Sequence, residues 1–282
     1  MKSRVLTLVI LFVTLLGLSS LTLAAEKQQT ADQQKPALVF AVSPGKNAAQ
    51  SSKQWAEFVS YLSARSGIKL RLIIPASFKQ FEQQLARGNY DFVYLNPYQY
   101  TTYHKSQGYL AFAKEKNKKV KGIIVVRRDS PYKSLVDLKD QRVGFPKEDV
   151  FGASLLSRAT LQQKNITVKT DFVDTSTSVY KAVYKGKLPA GAGVMETYDE
   201  LNPAVNNKLR ILWTTKQYTP NAFAAHPRVT KSTLDKIKHT LFVMQDDPHG
   251  LTVLNASNIR GIEAAQDKDW DDIRALSITL MQ

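Results

Sequence analysis

An α/β protein of two lobes is predicted by three observations. Short apolar runs alternate with amphipathic helical stripes. The alternation stops near residue 127 and restarts near residue 142. The chain has 282 residues with 43% hydrophobic content, enough for two medium cores. Strand, helix, strand succession favours mainly parallel sheets flanked by helices, because parallel neighbours need a crossover and the crossover is usually a helix.

The elements follow in order. Residues 38–42 (LVFAV) form a buried-strand run closed by Ser43, Pro44 and Gly45. Trp55, Phe58, Val59 and Leu62 recur at i, i+3, i+4 and i+7, one apolar helix face, and Gly67 stands where a C-terminal cap belongs. Residues 70–74 read as a second strand. Ser77 with Gln80 offers a capping box to a helix carrying Phe78, Phe81 and Leu85 and ending at Gly88. A third strand, 91–95, is broken by Asn96-Pro97. The β-branched run 121–127 stops at Asp129, Ser130 and Pro131. A second alternation then begins, with strands at 142–145, 167–172 and 190–194 and helices at 153–163 and 178–184.

After another short apolar run at 221–225 the pattern turns purely helical, with one stripe of Leu234, Ile237, Leu241 and Met244 and another of Trp270, Ile273 and Leu280. Such helices need a sheet to pack on. Returning them to the first lobe gives lobe 1 as 36–127 with 226–282, and lobe 2 as 128–225. The expected hinge is the pair of crossings at 126–130 and 222–227, with His226 before Pro227 as a hinge residue.

Lys2 and Arg4, the apolar run 5–18 and the small-residue site Thr22-Leu23-Ala24 form the pattern of a secretory signal peptide, residues 1–24. The apolar core is too short to favour spanning. The Gln- and Lys-rich stretch 25–35 is predicted to be a disordered leader. The absence of cysteine excludes a disulfide scaffold and lipid attachment at a cysteine. A net charge of +15, of which Lys2 and Arg4 supply two, draws anions to the protein. The cluster Lys114, Lys116, Lys118, Lys119 and Lys121 reads as a solvated hairpin tip, and lacks the interleaved aromatics of a nucleic-acid motif. The four histidines have no metal spacing, and neither a nucleophile elbow nor a phosphate loop occurs. No metal, cofactor or catalytic residue is expected.

Four segments then succeed one another in a telling order: 91–100 (DFVYLNPYQY), Val143-Gly144-Phe145-Pro146, 172–183 followed by Gly186 and Ala190-Gly191-Ala192, and 222–227 (AFAAHP). Their order and spacing resemble the periplasmic substrate-binding proteins of the phosphonate, phosphite and phosphate ABC transporters, over nearly the whole chain after residue 35. The resemblance implies a type II periplasmic-binding fold, two lobes joined by two hinge segments and closing on ligand. It further implies a periplasmic, monomeric solute-binding protein that takes a small anion of the phosphate, phosphite or phosphonate kind and presents it to a membrane permease. Two other readings stand beside it: a ligand sensor of the same fold docking a membrane receptor kinase, and an exported enzyme. Nucleic acid is not an expected partner.

Loops after the carboxyl ends of parallel strands face the cleft in such sheets, which makes Asn96, Tyr98 and Tyr100 site candidates. Tyr100 aligns with a tyrosine of the family's turn; packing of the following helix is the other role open to both tyrosines. Val150-Phe151-Gly152-Ala153 stands where phosphonate-binding members carry Ser-Thr-Ser-Gly. Phe151, Gly152 and Ala153 can therefore offer only backbone N–H groups. Asp174-Thr175-Ser176-Thr177 replaces the family's Gly-Ser-His-Asp; Thr175, Ser176 and Thr177 offer hydroxyls either to an oxyanion or to the helix they start. Glu196 is nearest to the acidic residue with which the family meets an amino group, and equally suits a helix's first turn.

Overall fold

The computed structural model describes residues 36–44, 48–276 and 278, and from Val39 onwards they belong to one compact unit. The signal peptide, the leader and Leu280 lie outside the described residues.

Strand β1 (Leu38–Val42) leads to helix α1 (Ala48–Ser66), whose Trp55, Phe58, Val59 and Leu62 are buried. Gly67, at φ +70°, closes α1 in the left-handed conformation that favours glycine, its N–H donating to Ser63 O at 3.1 Å. Strand β2 (Leu70–Ile73) and helix α2 (Phe78–Ala86) follow. Ser77 caps α2 by accepting from the Gln80 N–H at 3.1 Å, while Gln80 Oε1 reaches the Ala76 N–H at 3.2 Å, one residue before the box it was expected to close. Strand β3 (Phe92–Leu95) ends where Asn96 and Gln99 form a complete capping box, with Pro97 in the first turn of α3 (Pro97–Gln107). Asn96-Pro97 thus stops the strand by starting a helix.

Strands β4 (Leu110–Glu115), β5 (Gly122–Arg127) and β6 (Arg142–Phe145) come next. A π-helical turn, Phe151–Leu155, then runs into α4 (Leu156–Gln163). The rest is β7 (Lys169–Phe172), α5 (Ser176–Tyr184), β8 (Ala190–Val194), α6 (Met195–Asp199), α7 (Pro203–Asn206), β9 (Leu209–Thr214) and β10 (Ala222–Ala225). The last described elements are α8 (Lys231–Val243), α9 (Pro248–Ala256), β11 (Ile262–Ala264) and α10 (Asp271–Arg274).

These strands form a six-stranded sheet, β11-β4-β10-β3-β1-β2, and a five-stranded sheet, β7-β6-β8-β5-β9. The two-lobed α/β architecture is as read from the sequence; the sheets, expected to be mainly parallel, are both mixed. β1 and β3 are parallel, whereas β10 runs antiparallel to β3 and β4, and β11 antiparallel to β4. In the second sheet β6 is parallel to β7 and β8, and β5 antiparallel to β8 and β9.

The structure moves four expectations. β5 belongs to the second sheet, so the chain crosses between sheets at 116–121 and returns at 215–221, before each of the expected crossings. The cause is burial on both faces. Ile124 and Val126 pack in one apolar cluster of that lobe, Ile123 and Val125 in another. The lysine cluster is consequently no hairpin tip, since Lys116, Lys118, Lys119 and Lys121 lie on the first crossing. Val120 and Tyr218 tie the crossings together with reciprocal backbone hydrogen bonds of 2.9 Å. His226 follows β10, meets Tyr109 edge-on at 5.2 Å and lies outside the crossings. Lastly, the C-terminal part is not purely helical, because β11 adds an edge strand beside β4.

Candidate functional site

Strands β1, β3, β6 and β8 all end at a cavity of about 480 Å³. The first lobe contributes Ser43, Trp55, Phe78, Tyr94, Asn96 and Gln99. The second contributes Lys147, Asp149, Phe151, Gly152, Met195 and Glu196, and the crossings add Lys118, Lys119, Lys121 and Asn221. A cleft at the carboxyl ends of strands is where open α/β sheets place ligands.

One wall is aromatic. The Trp55 ring lies 5.0 Å from Tyr94 and 5.1 Å from Phe58, and Tyr94 lies 4.7 Å from Phe223. Tyr94 Oη donates to Glu115 Oε1 at 2.5 Å. Burial first, then the Glu115 charge, holds the Tyr94 hydroxyl well above its ordinary pKa, so it stays a neutral donor.

The charged lining carries four lysines against two carboxylates, a positive balance suited to an anion. Lys118 Nζ is 2.9 Å from Glu115, and Lys147 Nζ is 3.5 Å from Asp174. Burial raises the pKa of Asp149 despite the opposing pull of a backbone hydrogen bond and Lys147.

The π-turn supplies the other polar group. Ser154 and Leu155 N–H both donate to Val150 O, at 2.8 and 3.1 Å, and the N–H groups of Phe151, Gly152 and Ala153 in this first turn precede any intrahelical acceptor. Close approach requires the glycines here. A Cβ on Gly152 would meet Val120 Cγ1 at 2.6 Å and Val194 Cγ1 at 2.7 Å, and one on Gly122 would meet Gly152 O at 2.4 Å. π-Turns within helices occur frequently at functional sites.

Of the residues singled out in the sequence, Asn96, Phe151, Gly152 and Glu196 line the cavity, and Ala153 is buried in the turn beside them. The others do not line it. Tyr100 is wholly buried, donates to Asp267 Oδ1 at 2.6 Å and lies 4.6 Å from the Trp270 ring, a core residue rather than a cleft one. Tyr98 Oη reaches Ile278 O at 3.5 Å. Thr175 caps α5, its hydroxyl oxygen accepting from the Ser178 N–H at 2.8 Å, and Ser176 and Thr177 open the same helix. Lys147, Asp149, Trp55, Phe78 and Asn221 were not anticipated as site residues. Lys147 and Asp149 follow the carboxyl end of β6, so the rule that located Asn96 could have found them. Asn221 precedes an antiparallel strand and carried no such signal.

The profile of the phosphonate-binding family, described as the periplasmic substrate-binding protein of a phosphonate ABC transporter, matches residues 40–270, and the chain belongs to that family. It is a non-catalytic, periplasmic solute-binding protein for an anionic ligand. No curated protein matches the chain. Among solved structures, a Xanthomonas citri protein bound to chloride ion is 17% identical with a TM-score of 0.76, covering 86% of this chain and 96% of its own. PhnD1 from Prochlorococcus marinus, in complex with methylphosphonate, is 18% identical with a TM-score of 0.71, covering 85% and 96%. A binding protein component of the ABC phosphonate transporter from Pseudomonas aeruginosa is 13% identical with a TM-score of 0.70, covering 86% of each chain. At these identities the likeness is one of fold, and the fold is the type II periplasmic-binding one.

Proposed function

We propose that the chain, as a monomer, captures an organic phosphonate or phosphate whose anionic head meets the N–H groups of the π-turn and the cleft lysines, and delivers it to a membrane permease. The organic body rests on Trp55, Phe78 and Phe151. The observation that carries this reading is the pairing of a net-positive lining with an aromatic wall in one cavity. At about 480 Å³ the cavity falls in the ~300–1,000 Å³ range of pockets for organic ligands. Proteins of this fold have been solved with chloride, methylphosphonate and ATP, anions of very different size. Asp149 and Glu196 disfavour a second negative charge on the ligand body and suit an amine or a neutral polar group. The crossings at 116–121 and 215–221 serve as the hinge, and ligand contacts in both lobes shift the population toward the closed form that a permease recognises.

Calorimetric titration of the mature protein with inorganic phosphate, sulfate, methylphosphonate, aminoethylphosphonate, phenylphosphonate and adenosine monophosphate tests the proposal. An organic phosphonate or phosphate should bind at least about tenfold more tightly than inorganic phosphate, a difference of about 1.4 kcal/mol. Equal affinity for inorganic phosphate would remove the role of the aromatic wall. Absence of binding by every phosphorus oxyanion would overturn the ligand class.

A further inference from the structure

The π-turn and α4 pack on the second lobe's sheet, with Gly152 against Val194 of β8 and Leu161 in one of that lobe's clusters, and they present a further apolar face to a different cluster. Phe151, Leu155 and Ala159, spaced at i, i+4 and i+8, lie in one apolar cluster with Tyr218, Ile273 and Ile278. The second lobe's two clusters are built from other residues, including Leu161 of α4. Beyond α10, Leu276 and Ile278 meet elements of both lobes. Gln163 Nε2 at the end of α4 donates to Leu276 O at 3.1 Å, Tyr98 Oη of α3 approaches Ile278 O at 3.5 Å, and Ile278 is only 7% exposed. The same turn touches both crossings. Gly152 lies against Val120 of the first, and Phe151 meets Tyr218 of the second edge-on at 6.2 Å.

We infer that Leu276 and Ile278 are positioning residues of the binding site, bracing α4 and the π-turn that opens it against the first lobe so that the turn's N–H groups are aligned before ligand arrives. The inference rests on the reading of the turn as a ligand-holding element, and adds a residue set far along the chain that no cleft-lining argument reaches. Val120 and Tyr218 of the two crossings and Val194 of β8 meet the turn itself, while Leu276 holds the far end of α4 through Gln163. Preorganised donors cost less ordering on binding than donors that must be recruited. Ile278 acts through the apolar cluster it shares with Phe151, Leu155 and Ala159, and does not line the cavity.

Hydrogen exchange of the ligand-free mature protein tests this, and its outcome does not depend on which anion binds. Ile278→Asp should accelerate exchange of the hydrogen-bonded amides of residues 154–156 at least about tenfold, with amides of β6 and β8 unchanged. Ile278→Ala should give a smaller acceleration at the same amides, and Ile278→Leu should restore wild-type protection. Ile259→Ala, a buried change in the first lobe outside this cluster, should lower the melting temperature without touching those amides. If Ile278→Asp does not fold, the alanine and leucine variants decide. Unchanged exchange at 154–156 in the Ile278 variants, or equal acceleration by Ile259→Ala, would overturn the inference. Loss of anion binding in the wild type would instead bear on the proposed function alone.

Discussion

At the residue scale, Tyr100 shows how a cleft candidate becomes a core residue. Its position after β3 suited both roles, and the choice is made by Asp267 and Trp270, more than 160 residues away in the chain, which no local pattern reveals. The same contact makes Asp267 a pH-dependent support. Burial alone would raise its pKa, but hydrogen bonds from Tyr100 and Arg274 and the nearby His104 and Arg274 charges outweigh it and hold the carboxyl below its usual value. A carboxyl depressed in the folded state contributes stability above its unfolded pKa, and that contribution is lost as pH falls through the lowered folded value. Asp267→Asn should therefore be less stable than wild type at neutral pH and show a shallower loss of stability on acidification. Urea midpoints measured across a series of falling pH values check this; parallel acid limbs would contradict it.

At the element scale, periodicity located most strands and helices but not their partners. The run 121–127 was legible as a strand, because Ile123, Ile124, Val125 and Val126 form an unbroken apolar stretch. Its membership of the second sheet depends on β8 and β9, which pair with it across long sequence separations. The three-residue β11 is too short to show a period of two. The capping signals at Ser77 and Asn96 could be read directly, since they involve residues three apart. Gly152 was read as a backbone donor, and the structure adds why no side chain fits there. Gly152→Ala would drive a Cβ into Val120 and Val194, neither of which has a long side chain that could swing away. Overpacking of this kind typically costs about 1–3 kcal/mol. The variant should lose that much in urea unfolding and bind methylphosphonate more weakly, because the turn is displaced. Wild-type stability and affinity together would show that the turn is less tightly seated than the geometry requires.

At the scale of the whole molecule, two mixed-sheet lobes are joined by crossings at 116–121 and 215–221, with a net-positive, partly aromatic cleft beside them. The alternation of elements made the two lobes legible. The cleft was legible only in part: Asn96, Phe151, Gly152 and Glu196 sit in local strand-end or helix-start patterns, whereas Trp55 and Phe78 look like ordinary helix residues until the lobes face each other. Membership of the phosphonate-binding family supplies the role, and capture between closing lobes is the central claim. The chain has no cysteine, so two can be introduced for labelling without background. Lys79 and Asp174 are exposed positions on opposite lobes, at the start of α2 and after β7. The distance between labels at Lys79→Cys and Asp174→Cys should shorten as methylphosphonate is added, following the same saturation curve as calorimetric binding. Full binding with an unchanged distance would contradict closure of the lobes on ligand.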